Sequence, residues 1–211
     1  MSFWTDAPEV PPFAPRIRGI PRGHHGGDLV NGGPSQCRAT THSRHSRSNF
    51  SPVTGNDGSS VPSVRTLEAA DASTCDDIIA SLPDWFGMPE GIRDCARDVR
   101  TQSGLVCERH QRVVGFLTYV QRTPTVSEIT WMAVHANDRN RGFGTVLVEE
   151  LITRLAATTV RLLLVQTLSD REDPGPEYAA TRAFYLARGF SPAAELEGKP
   201  ENPIQLMSRR I

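Results

Sequence analysis

No apolar run in the chain approaches the roughly 18 residues that a membrane span needs. The opening residues MSFWTDAPEVPPFAPRIRG also lack the continuous apolar core of a secretory signal. Both absences lead us to expect a cytoplasmic protein with no membrane partner. Charge of one sign is missing too: 23 basic against 24 acidic residues leave a net charge of -1. No long-range field therefore draws the protein to nucleic acid or an anionic surface, and any charge recognition must be local. Cys37, Cys75, Cys95 and Cys107 are scattered, with no CxxC and no ligand-like histidine spacing. They predict neither a metal site nor a disulfide framework. Lysine is nearly absent, since Lys199 alone represents it, which carries no functional weight.

What is present divides the 211 residues in two. Residues 1–60 hold Pro/Gly-rich stretches, HHGG, NGG and the run RATTHSRHSRSN, without a helical or alternating apolar period, and read as a disordered tail. Residues 61–211 read as one domain. SVRTLEAAD is a strand ending at a helix cap, Asp71, followed by the helical runs TCDDIIASL and GIRDCARDVRTQ. GLVCERH, RVVGFLTYVQR and TVSEITWMAV form an antiparallel meander, the first two joined at His110-Gln111. Val146, Leu147, Glu150, Leu151 and Leu155 then mark a helix of period 3.6, RLLLVQTL is a buried parallel-type strand, and YAATRAFYLARG is a helix closed by Gly189. FSPAAELE and NPIQLMSRR finish the chain as strands. This order predicts an α/β (α+β) mixed sheet with antiparallel N-terminal strands, a central parallel βαβ crossover and helices on both faces.

The stretch RNRGFGTVLVEELITRL, Arg139 to Leu155, sets two arginines and two glycines before an amphipathic helix. A helix N-terminus carries about half a positive charge and several unpaired N-H groups, which suits a phosphate. Gly142 and Gly144 remove Cβ atoms that would hold such an anion away, and Arg139 and Arg141 add cationic donors at the rim. The loop is neither of two familiar phosphate loops. A Walker A motif needs Gly-Lys-Ser/Thr, and the dinucleotide fingerprint needs a third glycine where Leu147 stands.

Arg139-Asn-Arg-Gly142-Phe-Gly144 resembles the pyrophosphate loop of the GNAT superfamily of acyl-CoA-dependent N-acetyltransferases. EITWMAV before it is similar to that family's fourth strand, and FYLARGF, Phe184 to Phe190, to its C-terminal signature. The resemblance covers roughly residues 61–211. It implies a GNAT-like fold in which parallel fourth and fifth strands splay apart and the pantetheine arm of acetyl-CoA enters the gap. The implied cofactor contacts are Met132, Ala133 and Val134 of the strand and Arg139, Asn140, Arg141, Gly142, Phe143, Gly144 and Thr145 of the loop. Many relatives carry Asn where this chain has Tyr178.

The activity implied is acetyl transfer from acetyl-CoA to a primary amine of a small molecule by direct attack in a ternary complex. A protein or peptide acetyltransferase, or a non-catalytic acyl-CoA-binding module, is the alternative, and a homodimer is allowed. Transfer needs an uncharged amine, a polarised carbonyl and a proton for the departing thiolate. Tyr185 is cast as the proton donor, although a phenol of pKa about 10 gives its proton slightly uphill to a thiolate of about 8.5. Glu128, at the start of the fourth strand, is cast as the base. His135, a lone loop histidine, reads as solvated, and Asp170, Glu172, Asp173 and Glu177 read as an acidic loop bordering the acceptor groove.

Overall fold

A computed structural model describes residues 62–171, 175–196 and 203–211. The tail expected over 1–60, with Cys37, and the loop residues Glu172 and Asp173 lie outside the described residues. Among the described residues, seven strands form one sheet in the order β1-β2-β3-β4-β5-β7-β6. They are β1 (Ser63–Thr66), β2 (Ser103–Arg109), β3 (Arg112–Thr123), β4 (Val126–Val134), β5 (Leu162–Leu168), β6 (Ser191–Leu196) and β7 (Ile204–Arg210). The helices are α1 (Ala72–Ala80), α2 (Pro89–Thr101), α3 (Phe143–Ala156) and α4 (Pro176–Leu186). β4 and β5 pair in parallel, joined by α3, and the other described neighbours are antiparallel. No described helix is long and apolar enough to cross a membrane.

Alternation along β2 shows how the sheet acquires two cores. Leu105 and Cys107 turn to one face, where Leu147, Val148, Leu151 and Leu155 of α3 cover them together with Leu117 and Leu163. Val106 turns to the other, joining Phe116 and Trp131 beneath Ile78, Ile79, Cys95 and Val99 of α1 and α2. The β2–β3 connection is read correctly from the sequence, because His110 and Gln111 both adopt positive φ, 51° and 60°. Two left-handed residues make the tight turn whose twist matches the strands it joins. Cys75, Cys95 and Cys107 are buried. Burial pushes the Cys75 thiol up to about 12 and that of Cys107 to about 11, which leaves them as apolar core side chains.

Two local expectations need correction. Asp71 does not cap α1 with its side chain. It ends a short 3-10 turn, Ala69–Asp71, and its carboxylate accepts from Glu68 N at 2.9 Å and from both terminal nitrogens of Arg65 at 2.7 and 2.8 Å. A bidentate guanidinium is a stronger partner than a helix N-H, and it holds the Asp71 carboxyl below its ordinary range. The inner stripe of α3 also differs from the one expected. Val148 is buried in it, whereas Val146 and Glu150 are half-buried, with Glu150 accepting from Arg154 Nε at 2.8 Å.

Candidate active site

The parallel pairing of β4 with β5 covers Val126–Ile129 against Leu162–Val165 and goes no further, although both strands continue. The cause lies in β4. Its register with β3 shifts between Thr118 and Tyr119, opposite Thr130, and a residue inserted into one strand of a pair bends it and raises its twist. Beyond the shift, Gly115, Phe116 and Leu117 of β3 lie opposite Val134, Ala133 and Met132. His135 N donates to Val114 O at 2.9 Å, which makes that pair the hydrogen-bonded kind. Pairs alternate along an antiparallel ladder, so Ala133 turns its N-H and C=O to β3 while Met132 and Val134 turn theirs to the gap. Of the three strand residues expected to offer backbone groups, two do so. Ala133 contributes only to the wall.

The gap opens onto a cleft of about 470 Å³ whose far wall is α4 and whose floor is the start of α3. Gly142 stands before α3 at φ 86°, in the left-handed region, and no side chain caps the helix. The first-turn N-H groups of an α-helix have no acceptor within it, so these point at whatever occupies the cleft. A Cβ on Gly142 would meet nothing within 4 Å. Backbone conformation, rather than crowding by the protein, therefore calls for glycine there. Gly144 differs from expectation: its Cβ would lie 3.2 Å from the Phe184 ring, so this glycine lets α4 approach α3.

Of the residues singled out from sequence, Met132, Ala133, Val134, Arg139, Asn140, Gly142, Phe143, Gly144, Thr145 and Tyr185 line this one cleft. Arg141 does not line it. Its side chain is half exposed and faces Asp138 at 3.9 Å, beside the tighter Arg112–Asp138 pair at 2.7 Å. Arg139 lies over the face of Trp85, its Cζ 4.0 Å from the ring centroid. His135 is outside the lining, and its Nδ1 accepts from Asn137 N.

Glu128 departs furthest from its expected role. It is buried and absent from the cleft wall, with Arg122 Nε donating to one carboxylate oxygen at 2.6 Å and Gln166 Nε2 to the other at 2.8 Å. A carboxylate held at both oxygens and walled from the cleft is badly placed to take an amine proton. Gln166, which does line the cleft, stands between them. Tyr185 packs edge-on against Phe184 and Phe190, and burial drives its phenol above the ordinary value of a tyrosine. It holds its proton firmly at neutral pH. Tyr178, pushed up to about 12 by burial, donates to Trp85 O at 3.2 Å.

Sequence reasoning missed Arg188. Its Nε donates to Thr145 Oγ1 at 3.1 Å and its terminal nitrogen NH1 to Phe184 O at 2.7 Å, and its guanidinium covers the Phe184 ring at 3.6 Å. A fixed cation thus lines the cleft next to the first turn of α3. Its position inside FYLARGF, one turn after the ring it covers, was the available signal. Trp85 was missed as well, because only the folded chain brings it to Arg139 and α4.

Residues 100–192 match the model of the acetyltransferase (GNAT) domain. No match was found among curated proteins. Solved structures share the fold. A GNAT-family protein from Desulfovibrio desulfuricans superposes with a TM-score of 0.63 at 21% identity, over 71% of this chain and 99% of its own. The ribosomal-protein-S18-alanine N-acetyltransferase of Escherichia coli gives 0.57 at 18% identity, over 72% and 94%. An aminoglycoside 6'-N-acetyltransferase complexed with coenzyme A gives 0.54 at 14% identity, over 70% and 96%. The matched model runs from the end of α2 through the glycine loop and the Phe184–Phe190 signature into β6, and that match identifies residues 100–192 as a GNAT acetyltransferase domain.

Proposed function

We propose that residues 61–211 form an N-acetyltransferase that moves the acetyl group of acetyl-CoA to a primary amine of a small molecule, both substrates being bound together. The observation that carries the reading is the parting of β4 from β5 directly above the uncapped start of α3. An unpaired strand edge suits the amides of pantetheine, and a bare helix N-terminus suits a diphosphate. The residues fit the whole co-substrate. Met132 and Val134 supply strand donors and acceptors, the first turn of α3 with Asn140 and Gly142 supplies N-H groups, and Arg188 supplies charge. The aminoglycoside enzyme of the same fold was solved with coenzyme A.

In this reading the thioester supplies the activated acetyl group. An N-H of Met132 or Val134 polarises its carbonyl from a fixed position, needing no rearrangement as charge develops. Tyr185, kept neutral by burial, donates its hydroxyl hydrogen bond and then its proton to the departing sulfur. The lone pair of the acceptor forms the new C-N bond as the C-S bond breaks, and the proton the nitrogen then loses replaces the one Tyr185 gives to sulfur.

The experiment is a calorimetric titration of the full chain with CoA, followed by thiol release from acetyl-CoA in the presence of amines. Micromolar CoA binding with amine-dependent thiol release is expected. CoA binding without thiol release across small amines and N-terminal peptides alike would leave an acyl-CoA-binding module in its place. Release with peptides alone would make the acceptor a polypeptide.

A further inference from the structure

One wall of the cleft is formed by Leu82, Trp85, Phe86 and Met88 from the α1–α2 connection, Trp131 of β4 and Tyr178 of α4. Three of these carry a polar tip, and each tip is already taken. Trp131 Nε1 donates to Asp98 Oδ2 at 2.8 Å, Trp85 Nε1 to Thr181 Oγ1 at 3.4 Å, and Tyr178 Oη to Trp85 O. The wall therefore shows hydrocarbon to its occupant. Aromatic faces that would attract a cation are engaged too, since Arg139 covers Trp85, and Phe86 and Trp131 lie against each other at 6.1 Å.

Negative charge is equally committed. Asp138 is the one acidic residue among the described residues lining the cleft; it is buried and accepts from Arg112 at 2.7 Å. Glu128, behind Gln166, is held by Arg122. Among the described residues lining the cleft, an alkylammonium ion entering here finds neither a free counter-charge nor a base. An alkylamine with a conjugate acid of pKa about 10.4 is only about one part in a thousand neutral near pH 7.4. An amine of low basicity arrives already able to attack.

We infer that the acceptor is a weakly basic primary amine carried on an aromatic or other apolar body. This rests on the acetyl-CoA reading above and names its second substrate. The amine lone pair forms a bond to the acetyl carbon, the C-S bond breaks with its electron pair going to sulfur, and the proton lost from nitrogen balances the one gained by the thiol. No proton leaves the pair of substrates on balance, so the chain needs no strong base.

The test uses the full chain, acetyl-CoA and three amines read by thiol release: p-toluidine, which is weakly basic and apolar; hexylamine, strongly basic and apolar; and spermidine, strongly basic and polycationic. The expected kcat/KM for p-toluidine exceeds that for spermidine by at least about 100-fold and is flat from pH 6.5 to 8.5. Hexylamine should gain about tenfold per pH unit, following its neutral fraction. Met88→Glu, which adds a carboxylate to the wall, should raise kcat/KM for spermidine at least tenfold and leave CoA affinity unchanged. Spermidine equal to or better than p-toluidine overturns the inference, as does failure to acetylate p-toluidine by a chain that binds CoA in calorimetry. Failure to bind CoA at all overturns the acetyl-CoA reading itself, and the acceptor inference with it.

Discussion

Arg188 Nε donates to Oγ1 of Thr145 at 3.1 Å, tying the residue just past α4 to the first turn of α3. The two positions are 43 apart in sequence. Closing α4 onto α3 thus puts a cation beside the N-H groups that the glycine loop exposes.

Arg188→Met keeps the aliphatic stem over Phe184 and removes the charge. A charge-assisted hydrogen bond contributes about 1.5–3 kcal/mol, so CoA should bind roughly 10- to 100-fold more weakly by calorimetry, with little change in melting temperature. Unchanged affinity would reduce Arg188 to a strut between the helices.

Glu128 is expected to hold the strands rather than to take protons. Glu128→Gln loses the ion pair with Arg122, so thermal unfolding should move down by several degrees, about 1–3 kcal/mol of stability. For a weakly basic amine kcat should fall less than about tenfold. A fall above about 100-fold at an unchanged melting temperature would restore Glu128 as the base.

These expectations divide between what local sequence reports and what it does not. The meander, the His110-Gln111 turn, the α3 boundary at Gly142 and the Gly189 stop follow from signals within a few residues: apolar period, turn chemistry and left-handed positions. The cleft residues of the loop were legible for the same reason. The fate of Glu128 was not, because it depends on Arg122 across a hairpin and Gln166 on the neighbouring parallel strand. Asp71 read as a helix cap until Arg65, carried past it by β1, offered a better partner. Ala133 and its neighbours look alike in sequence, and only the β3 register separates those facing the gap from the one that does not.

Tyr185→Phe retains the ring that packs on Phe184 and Phe190. CoA affinity should stay within about twofold and kcat should drop about 10²- to 10⁴-fold if chemistry limits the rate. The phenol predicts a second, separate effect. Its folded-state pKa is raised by burial, so the stability gained by holding it neutral is complete below the unfolded value of about 10 and is lost as pH rises above it. Urea unfolding of Tyr185→Phe should therefore show a shallower loss of stability above pH 10 than wild type. A kcat within threefold of wild type would mean that the proton reaches sulfur by another route.

The central claim, that the Gly142 loop and the bare start of α3 hold the diphosphate of acetyl-CoA, is tested most directly by titrating CoA into Gly142→Asp in a calorimeter, with Gly142→Asn as control. Asn and Asp enter the left-handed region more readily than other side chains, and a Cβ here meets no protein atom within 4 Å, so both variants should fold. The account predicts that Asp, placing a carboxylate where the diphosphate belongs, weakens CoA binding at least 100-fold, with Asn in between. Wild-type affinity in a folded Gly142→Asp would contradict it.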